Sequence, residues 1–235
     1  MEGDSQDAAG YRMPAEWSPH QATWISWPHN RDTWPGHLPG VERTMAEAVG
    51  ALAGSELVRI NVRDADHGYH VQKLLAGRVP PERVIIHQFP TNDAWCRDHG
   101  AIFVTRDAAD GDGLLALDFQ YNAWGGKYPP WDLDNAIPGR MAEALGVPVR
   151  QIPMVLEGGS IDVNGKGSLL TTEQCLLNEN RNPGLDKATI EARLKVFFGV
   201  SQVIWLGDGI VGDDTDGHID DLTRFVADDQ VVTVV

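Results

Sequence analysis

Residues 212–221, GDDTDGHIDD, set five aspartates around one histidine in ten positions. Like charges at that density repel, so the stretch asks for a positive partner: a metal ion, a cationic ligand, or water alone on a solvated acidic turn. A calcium loop with its glycine at Gly217 would draw ligands from positions 212, 214 and 216 and a Glu from 223. Position 212 is glycine and 223 is Thr223, so that loop fails. A transition-metal site wants a second His or a Cys at short spacing, and no second His lies within ten residues of His218. A metal held through partners distant in sequence stays open. On an extended segment His218 and Asp220 would share a face and form an acid–base pair, with the neighbouring acids favouring the protonated imidazole.

Three other stretches carry chemistry. In TNDAWCRDHGAIFV (91–104), Trp95 and Asp98 stand three apart, so an aromatic face and a carboxylate can grip one planar cation. The alternative is a polar turn with Trp95 in the core and Asp98 paired with Arg97 or Arg106. In LEGGSIDVNGKGSLLTT (156–172), Glu157 precedes Gly158-Gly159, a pair that lets backbone approach a ligand or another segment closely, and NGKG reads as a hairpin turn. No phosphate-loop or dinucleotide glycine pattern is present. In YNAWGGKYPPWDLDNAIP (121–138), Trp124, Tyr128 and Trp131 either line a pocket mouth or staple a long loop to the core.

The elements that would position these residues recur. Asp98, Glu157 and Asp220 each stand five residues before a strand-like pair (Phe103-Val104, Asp162-Val163, Phe225-Val226), at intervals of 59 (98 to 157) and 63 (157 to 220). A repeated unit of about 60 residues, rotated about a common axis, would bring the three acids to one central pocket. Strands are predicted at 57–62, 84–88, 114–119, 202–206 and 231–235, and helices at 41–54, 65–77, 137–146 and 186–199, a mixed α/β pattern. Residues 1–12 read as a flexible polar tail, and 13–235 as one domain. A chain that stops inside a strand pattern reads as the N-terminal part of a longer protein.

Composition narrows the ligand. The 19 Lys and Arg against 34 Asp and Glu give a formal net charge of −15, which argues against nucleic acid or an anionic membrane surface and suits a cationic ligand. Cys96 and Cys175, the only two cysteines, read as reduced thiols of a cytoplasmic protein. Neither a basic flank followed by an apolar run nor 18 consecutive apolar residues is present.

Taken together, MPAEWSPHQATWISWPHNRDTWPG, TNDAWCRDHGAIF, FQYNAWGGKYPPWDLDN, LEGGSIDVNGKGSLLTTEQCLLNENRNP and DDTDGHIDDLTRFV closely resemble the agmatine deiminase family, grouped with the bacterial-type peptidylarginine deiminases. The resemblance runs from Met13 to Val235, with Ala101 where the family usually has proline. It implies a pseudo-symmetric α/β propeller of the pentein type built from ββαβ units, incomplete here and truncated at its C-terminus. It also implies a hydrolase acting on the C–N bond of an amidine without metal or organic cofactor. In that reaction a cysteine thiolate attacks the guanidinium carbon, ammonia leaves, and water resolves the thiouronium adduct.

By resemblance, Asp98 and Asp220 would hold the guanidinium nitrogens, and His218 would be general acid and then base. Glu157 would pair with the guanidinium and orient the site, Trp95 would form a wall, and Asp214 would take the far amine of agmatine. The family's nucleophile lies in a Gly-rich segment that matches neither Cys96 nor Cys175, so this polypeptide by itself is expected to be inactive. The partner expected is a small cationic guanidine. An incomplete propeller exposes a strand edge and apolar seam, which self-association into a homo-oligomer would cover. Peptidylarginine deiminase, a non-catalytic guanidinium-binding fragment and a metal-dependent hydrolase are the competing readings.

Overall fold

In the computed structural model, which describes residues 10–107 and 113–234, the first sheet is wholly parallel. Strand β1 (Ala22–Ser26) pairs with β2 (Leu57–Asn61), and β2 with β3 (Val84–His87). Parallel neighbours need a crossover, supplied here by helices α1 (Leu38–Leu52) and α2 (Ala65–Leu75). Pro39 fits the first turn of α1, and the Asp64 carboxylate caps α2 by accepting the His67 N–H at 2.8 Å. Trp27, Val49, Val58, Ile60 and Val71 are fully buried between helices and sheet.

A different unit then repeats. Strands β4 (Ile102–Arg106) and β5 (Gly113–Gln120) are antiparallel; a helix, α4 (Ile137–Leu145), leads to β6 (Val149–Val155), parallel to β5. The same order returns: β7 (Asp162–Val163) antiparallel to β8 (Ser168–Thr172), then helix α6 (Lys187–Phe198), then β9 (Gln202–Leu206) parallel to β8. The antiparallel pair β10 (Thr223–Ala227) and β11 (Gln230–Thr233) has the form of a third opening hairpin. The hairpins begin at Ile102, Asp162 and Thr223, offsets of 60 and 61 residues. This is the ββαβ rhythm expected of the α/β propeller.

Local chemistry explains the elements. In α6, Ile190, Leu194, Phe197 and Phe198 form the buried stripe, Asp186 caps the start on Thr189, and Gly199, at φ +62, ends it. The NGKG turn holds because Asn164 Oδ1 accepts the N–H groups of Lys166 and Ser168, while Gly165 and Gly167 take φ of +67 and +102.

Three expectations are corrected. The flexible tail does not extend to residue 12: Tyr11 is buried under the Arg106 guanidinium at 4.7 Å, and Arg12 exchanges two backbone hydrogen bonds with Thr105. Residues 1–9 of that tail lie outside the described residues, as does Val235 of the strand predicted at 231–235. The segment His218–Asp220 is not extended; His218 begins a one-turn helix, α7 (Ile219–Leu222). Finally, β1 and β6 were not foreseen, because ATWIS and VRQIPMV mix polar and apolar residues without clean alternation.

Candidate active site

Each of the acids in the 60-residue rhythm sits on the tight turn that enters a hairpin. Asp98 lies in α3 (Cys96–His99) before β4. Glu157 precedes the single 3-10 turn Gly158–Ser160 before β7, and Asp220 lies in α7 before β10. These turns pack together, so residues about 60 apart in sequence become neighbours.

Gly159 marks where they meet. Its N–H donates to Asp98 Oδ1 at 3.2 Å. A Cβ built on it would lie 2.5 Å from His218 Nδ1, 2.6 Å from Asp98 Oδ1 and 3.0 Å from Asp220 Oδ2. Gly158 is held as closely on the other side, where a Cβ would meet the Arg97 carbonyl oxygen at 2.2 Å. The glycine pair therefore serves close approach of chain segments, and a side chain at either place would have to displace its neighbours.

His218 Nδ1 stands 3.5 Å from Asp98 Oδ1 and 4.0 Å from Asp220 Oδ1. All three residues line a cavity of about 1240 Å³, with Trp95, Tyr121, Trp124, Tyr128 and Asp214 among its other walls. Trp124 meets Trp95, Tyr121 and Tyr128 edge-on with ring centroids 5.7–6.0 Å apart, which fixes the aromatic side of the cavity. Trp131 packs behind this group instead of lining the cavity, so the aromatic loop does both jobs weighed for it.

The electrostatics favour a cation in this cavity. Burial pushes the Asp98 carboxyl up to about 8, with the charges of Glu157 and Asp220 adding to the effect. Burial also raises Asp220 to about 6, against the pull of Arg97. Carboxylates that resist ionising when crowded are stabilised by a positive group brought among them. The imidazole departs from its expectation: burial, then the Arg181 guanidinium, hold His218 down at about 3. It is a neutral ring at physiological pH, since desolvation and the nearby guanidinium outweigh the local aspartates.

Asp98 does not pair with Arg97 or Arg106. Arg97 bonds Glu16 at 2.6 Å and stands 3.8 Å from Asp220 Oδ2. Glu157 does not line the cavity. It is fully buried behind the wall, with Oε1 accepting from Arg181 Nε at 2.7 Å. Its carboxylate nonetheless lies within 4.8 Å of a His218 ring nitrogen, so it reaches the Asp98–His218–Asp220 group through the imidazole.

Arg181 and its partners are what sequence reasoning missed. Its side chain is wholly buried and also bonds Asp216 Oδ2 at 2.6 Å, Asn180 Oδ1 at 2.7 Å and the Thr215 carbonyl at 2.8 Å. The signal available was a lone arginine among asparagines in NENRNP. The aspartates that crowd 212–221 divide their work accordingly. Asp213 caps Thr215 and Gly217, Asp216 receives Arg181, Asn180 and Lys127, Asp214 receives the Tyr128 hydroxyl at the cavity rim, and Asp220 faces His218.

The two cysteines are free and stand outside the cavity wall. Burial pushes the Cys96 thiol up to about 12 and Cys175 well above its ordinary value, so both are thiols at neutral pH. Among the described residues, no helix is long and apolar enough to cross a membrane.

A family model described as Porphyromonas-type peptidyl-arginine deiminase matches residues 12–235. A protein of Marinomonas sp. (strain MWYL1) that bears the name "Putative agmatine deiminase" is 39% identical over 221 residues, covering 92% of this chain and 58% of that protein. The fold matches a solved agmatine deiminase of Enterococcus faecalis with a TM-score of 0.87 and 36% identity, over 97% of this chain and 61% of that one. It matches a C. jejuni agmatine deiminase with a TM-score of 0.80 and 33% identity, over 95% and 63%. The chain thus spans about three fifths of the length of the curated relatives it matches.

Proposed function

Because the chain belongs to the Porphyromonas-type peptidyl-arginine deiminase family, we propose that its cavity binds the guanidinium of agmatine for hydrolysis to N-carbamoylputrescine and ammonia. The observation that carries the proposal is the convergence of Asp98, His218 and Asp220 on Gly159 beside the aromatic wall. A guanidinium is planar, permanently charged and rich in N–H donors, and carboxylates placed around it both recognise it and stabilise the charge that persists in the adduct.

In this reading Asp98 and Asp220 accept from the guanidinium N–H groups, and the Trp95 face closes the site. A thiolate attacks the central carbon, and the C–N bond to the departing nitrogen breaks as that nitrogen takes a proton from His218. Water, deprotonated by the same ring, then attacks the thiouronium carbon; the ureido product leaves and the thiol is restored. Carrying the thiol proton to the departing nitrogen requires that this ring, neutral in the free cavity, gain basicity from the thiolate formed beside it. Glu157 acts from behind the ring, through orientation and charge. The attacking thiol is supplied from outside residues 1–235, because Cys96 and Cys175 are raised thiols that do not line the cavity. The 13–235 segment is then the N-terminal part of a propeller domain.

The test is ammonia and N-carbamoylputrescine release by the product of the whole reading frame, on agmatine and on an arginine-containing peptide. Turnover preferring the peptide would move the assignment to a peptidylarginine deiminase. Labelling of Cys96 or Cys175 by a haloacetamidine far faster than a free thiol would place the nucleophile inside this chain.

A further inference from the structure

Three ligand-bearing side chains from three separate segments meet behind the cavity wall. A carboxylate oxygen of Glu157, the sulfur of Cys175 in α5 (Glu173–Leu176) and a ring nitrogen of His218 lie within 4.8 Å of one another. The residues are 0%, 0% and 2% exposed. Two polar atoms of this group, Glu157 Oε2 and His218 Nε2, have no hydrogen-bond partner. Buried polar atoms are nearly always paired, so two orphans in one three-residue cluster call for a common explanation.

The other side of each ligand is already held. Glu157 Oε1 receives Arg181 Nε at 2.7 Å, which aims Oε2 away from the arginine. His218 Nδ1 faces Asp98 Oδ1 at 3.5 Å, leaving Nε2 free. The Cys175 N–H is fixed on Thr172 Oγ1 at 3.2 Å. Metal-binding histidines turn their second ring nitrogen to a carboxylate, and ligating carboxylates are themselves hydrogen-bonded, which is the pattern seen here.

We propose that Glu157, Cys175 and His218 form a site for a thiophilic divalent cation of the zinc class. Zinc bonds of about 2.0–2.3 Å in tetrahedral geometry set ligand atoms roughly 3.3–3.8 Å apart, so small rotations of these side chains close the site. Mixed thiolate, imidazole and carboxylate ligands select zinc-like ions over magnesium or calcium, which prefer all-oxygen shells. Three protein ligands leave a fourth position for water or another donor. Binding forms a metal–sulfur bond as the Cys175 S–H proton passes to solvent, with no change of oxidation state. The distant partners that the sequence left open for His218 are thus Glu157 and Cys175. The site stands on its own geometry; if the deiminase reading also holds, an ion here occupies His218 and Glu157 and acts as an inhibitor, not a cofactor.

The experiment uses the intact 1–235 chain, titrated with Zn²⁺ against a chromophoric chelator and with Co²⁺ by absorbance. The expected result is about one zinc per chain and a thiolate-to-cobalt charge-transfer band in the near ultraviolet, with Mg²⁺ failing to compete. Cys175→Ser should abolish the band, and it and His218→Gln should each weaken zinc by at least about tenfold. Cys96→Ser, and His67→Gln, whose ring contacts those of His29 and His70 at centroid distances of 5.8 and 6.5 Å, should change neither reading. The idea fails if wild-type protein gives no thiolate band, or if zinc binds Cys175→Ser as tightly as wild type. The wild-type spectrum keeps the test decisive should a variant misfold. Since the readout is binding, its failure leaves the deiminase reading untouched, and absent turnover leaves the metal result untouched.

Discussion

Glu157 and Arg181 form an ion pair at 2.7 Å in which neither side chain is exposed to solvent. Removing one member of such a pair strands a charge in the interior, whereas removing both does not. Arg181→Met is therefore expected to lower unfolding stability by about 3–5 kcal/mol, and Glu157→Gln with Arg181→Met to cost less than the two single changes added. Urea unfolding of the four proteins checks this. A single-variant loss within about 0.5 kcal/mol, the range of ordinary surface substitutions, would show that the pair contributes little.

Stability should also depend on pH, with opposing slopes from Asp98 and His218. Asp98 is raised from 3.8 to about 8, so between these values the folded chain holds a proton that the unfolded chain has lost. Stability from this group is complete below about 4 and falls as pH rises toward 8. Asp98→Asn is expected to match wild type near pH 4 and to exceed it near pH 8. His218, lowered from 6.5 to about 3, works the other way: its contribution is present above 6.5 and lost as pH falls toward 3. His218→Gln should flatten that acid limb. Denaturant midpoints across pH 4–8, with a chelator present, decide both signs.

Much of the scaffold was legible from periodicity alone. The stripe Ile190, Leu194, Phe197, Phe198 with Asp186 and Gly199 at its ends fixes α6, because burial and capping there depend on neighbours within a few turns. The 60-residue rhythm located Asp98 and Asp220 as neighbours, since a repeated unit carries each turn to an equivalent place. What escaped depends on contacts between segments. The burial of Arg181 against Glu157, 24 residues away in sequence, leaves no local trace. The acids near His218 suggested a protonated ring, but the cost of burying charge, with Arg181 close by, exceeds their attraction.

Gly159 carries the tightest geometric demand of the site. Gly159→Ala would force a methyl group against Asp98, His218 and Asp220 at once, at 2.5–3.0 Å. Side chains can yield slightly, so the fold should survive with a loss of about 1–3 kcal/mol. Agmatine binding, followed calorimetrically, should weaken more than tenfold, because a displacement of the carboxylates by about an ångström spoils their hold on the cation. Gly158→Ala, which meets the Arg97 carbonyl at 2.2 Å, should be worse for stability because backbone cannot swing aside. Wild-type affinity in Gly159→Ala would mean that these residues do not bind the ligand together.

Asp214 tests the far end of the ligand. Lys127 gives its ammonium to Asp216 Oδ1 at 2.6 Å and to the Asp214 carbonyl at 2.7 Å, leaving the Asp214 carboxylate with the Tyr128 hydroxyl. Its negative charge is thus available at the cavity rim to an amine carried by the ligand. An exposed ion pair is worth about 0.2–1 kcal/mol, so Asp214→Asn should weaken agmatine by roughly 1.5- to 5-fold. It should leave an alkylguanidine of the same length, lacking the amine, unaffected. The difference should shrink as salt rises toward 1 M, where screening acts within about 3 Å. Equal weakening of both ligands would place Asp214 at the guanidinium end or make its effect structural; a loss confined to agmatine supports a short dication over a peptide as the partner of this cavity.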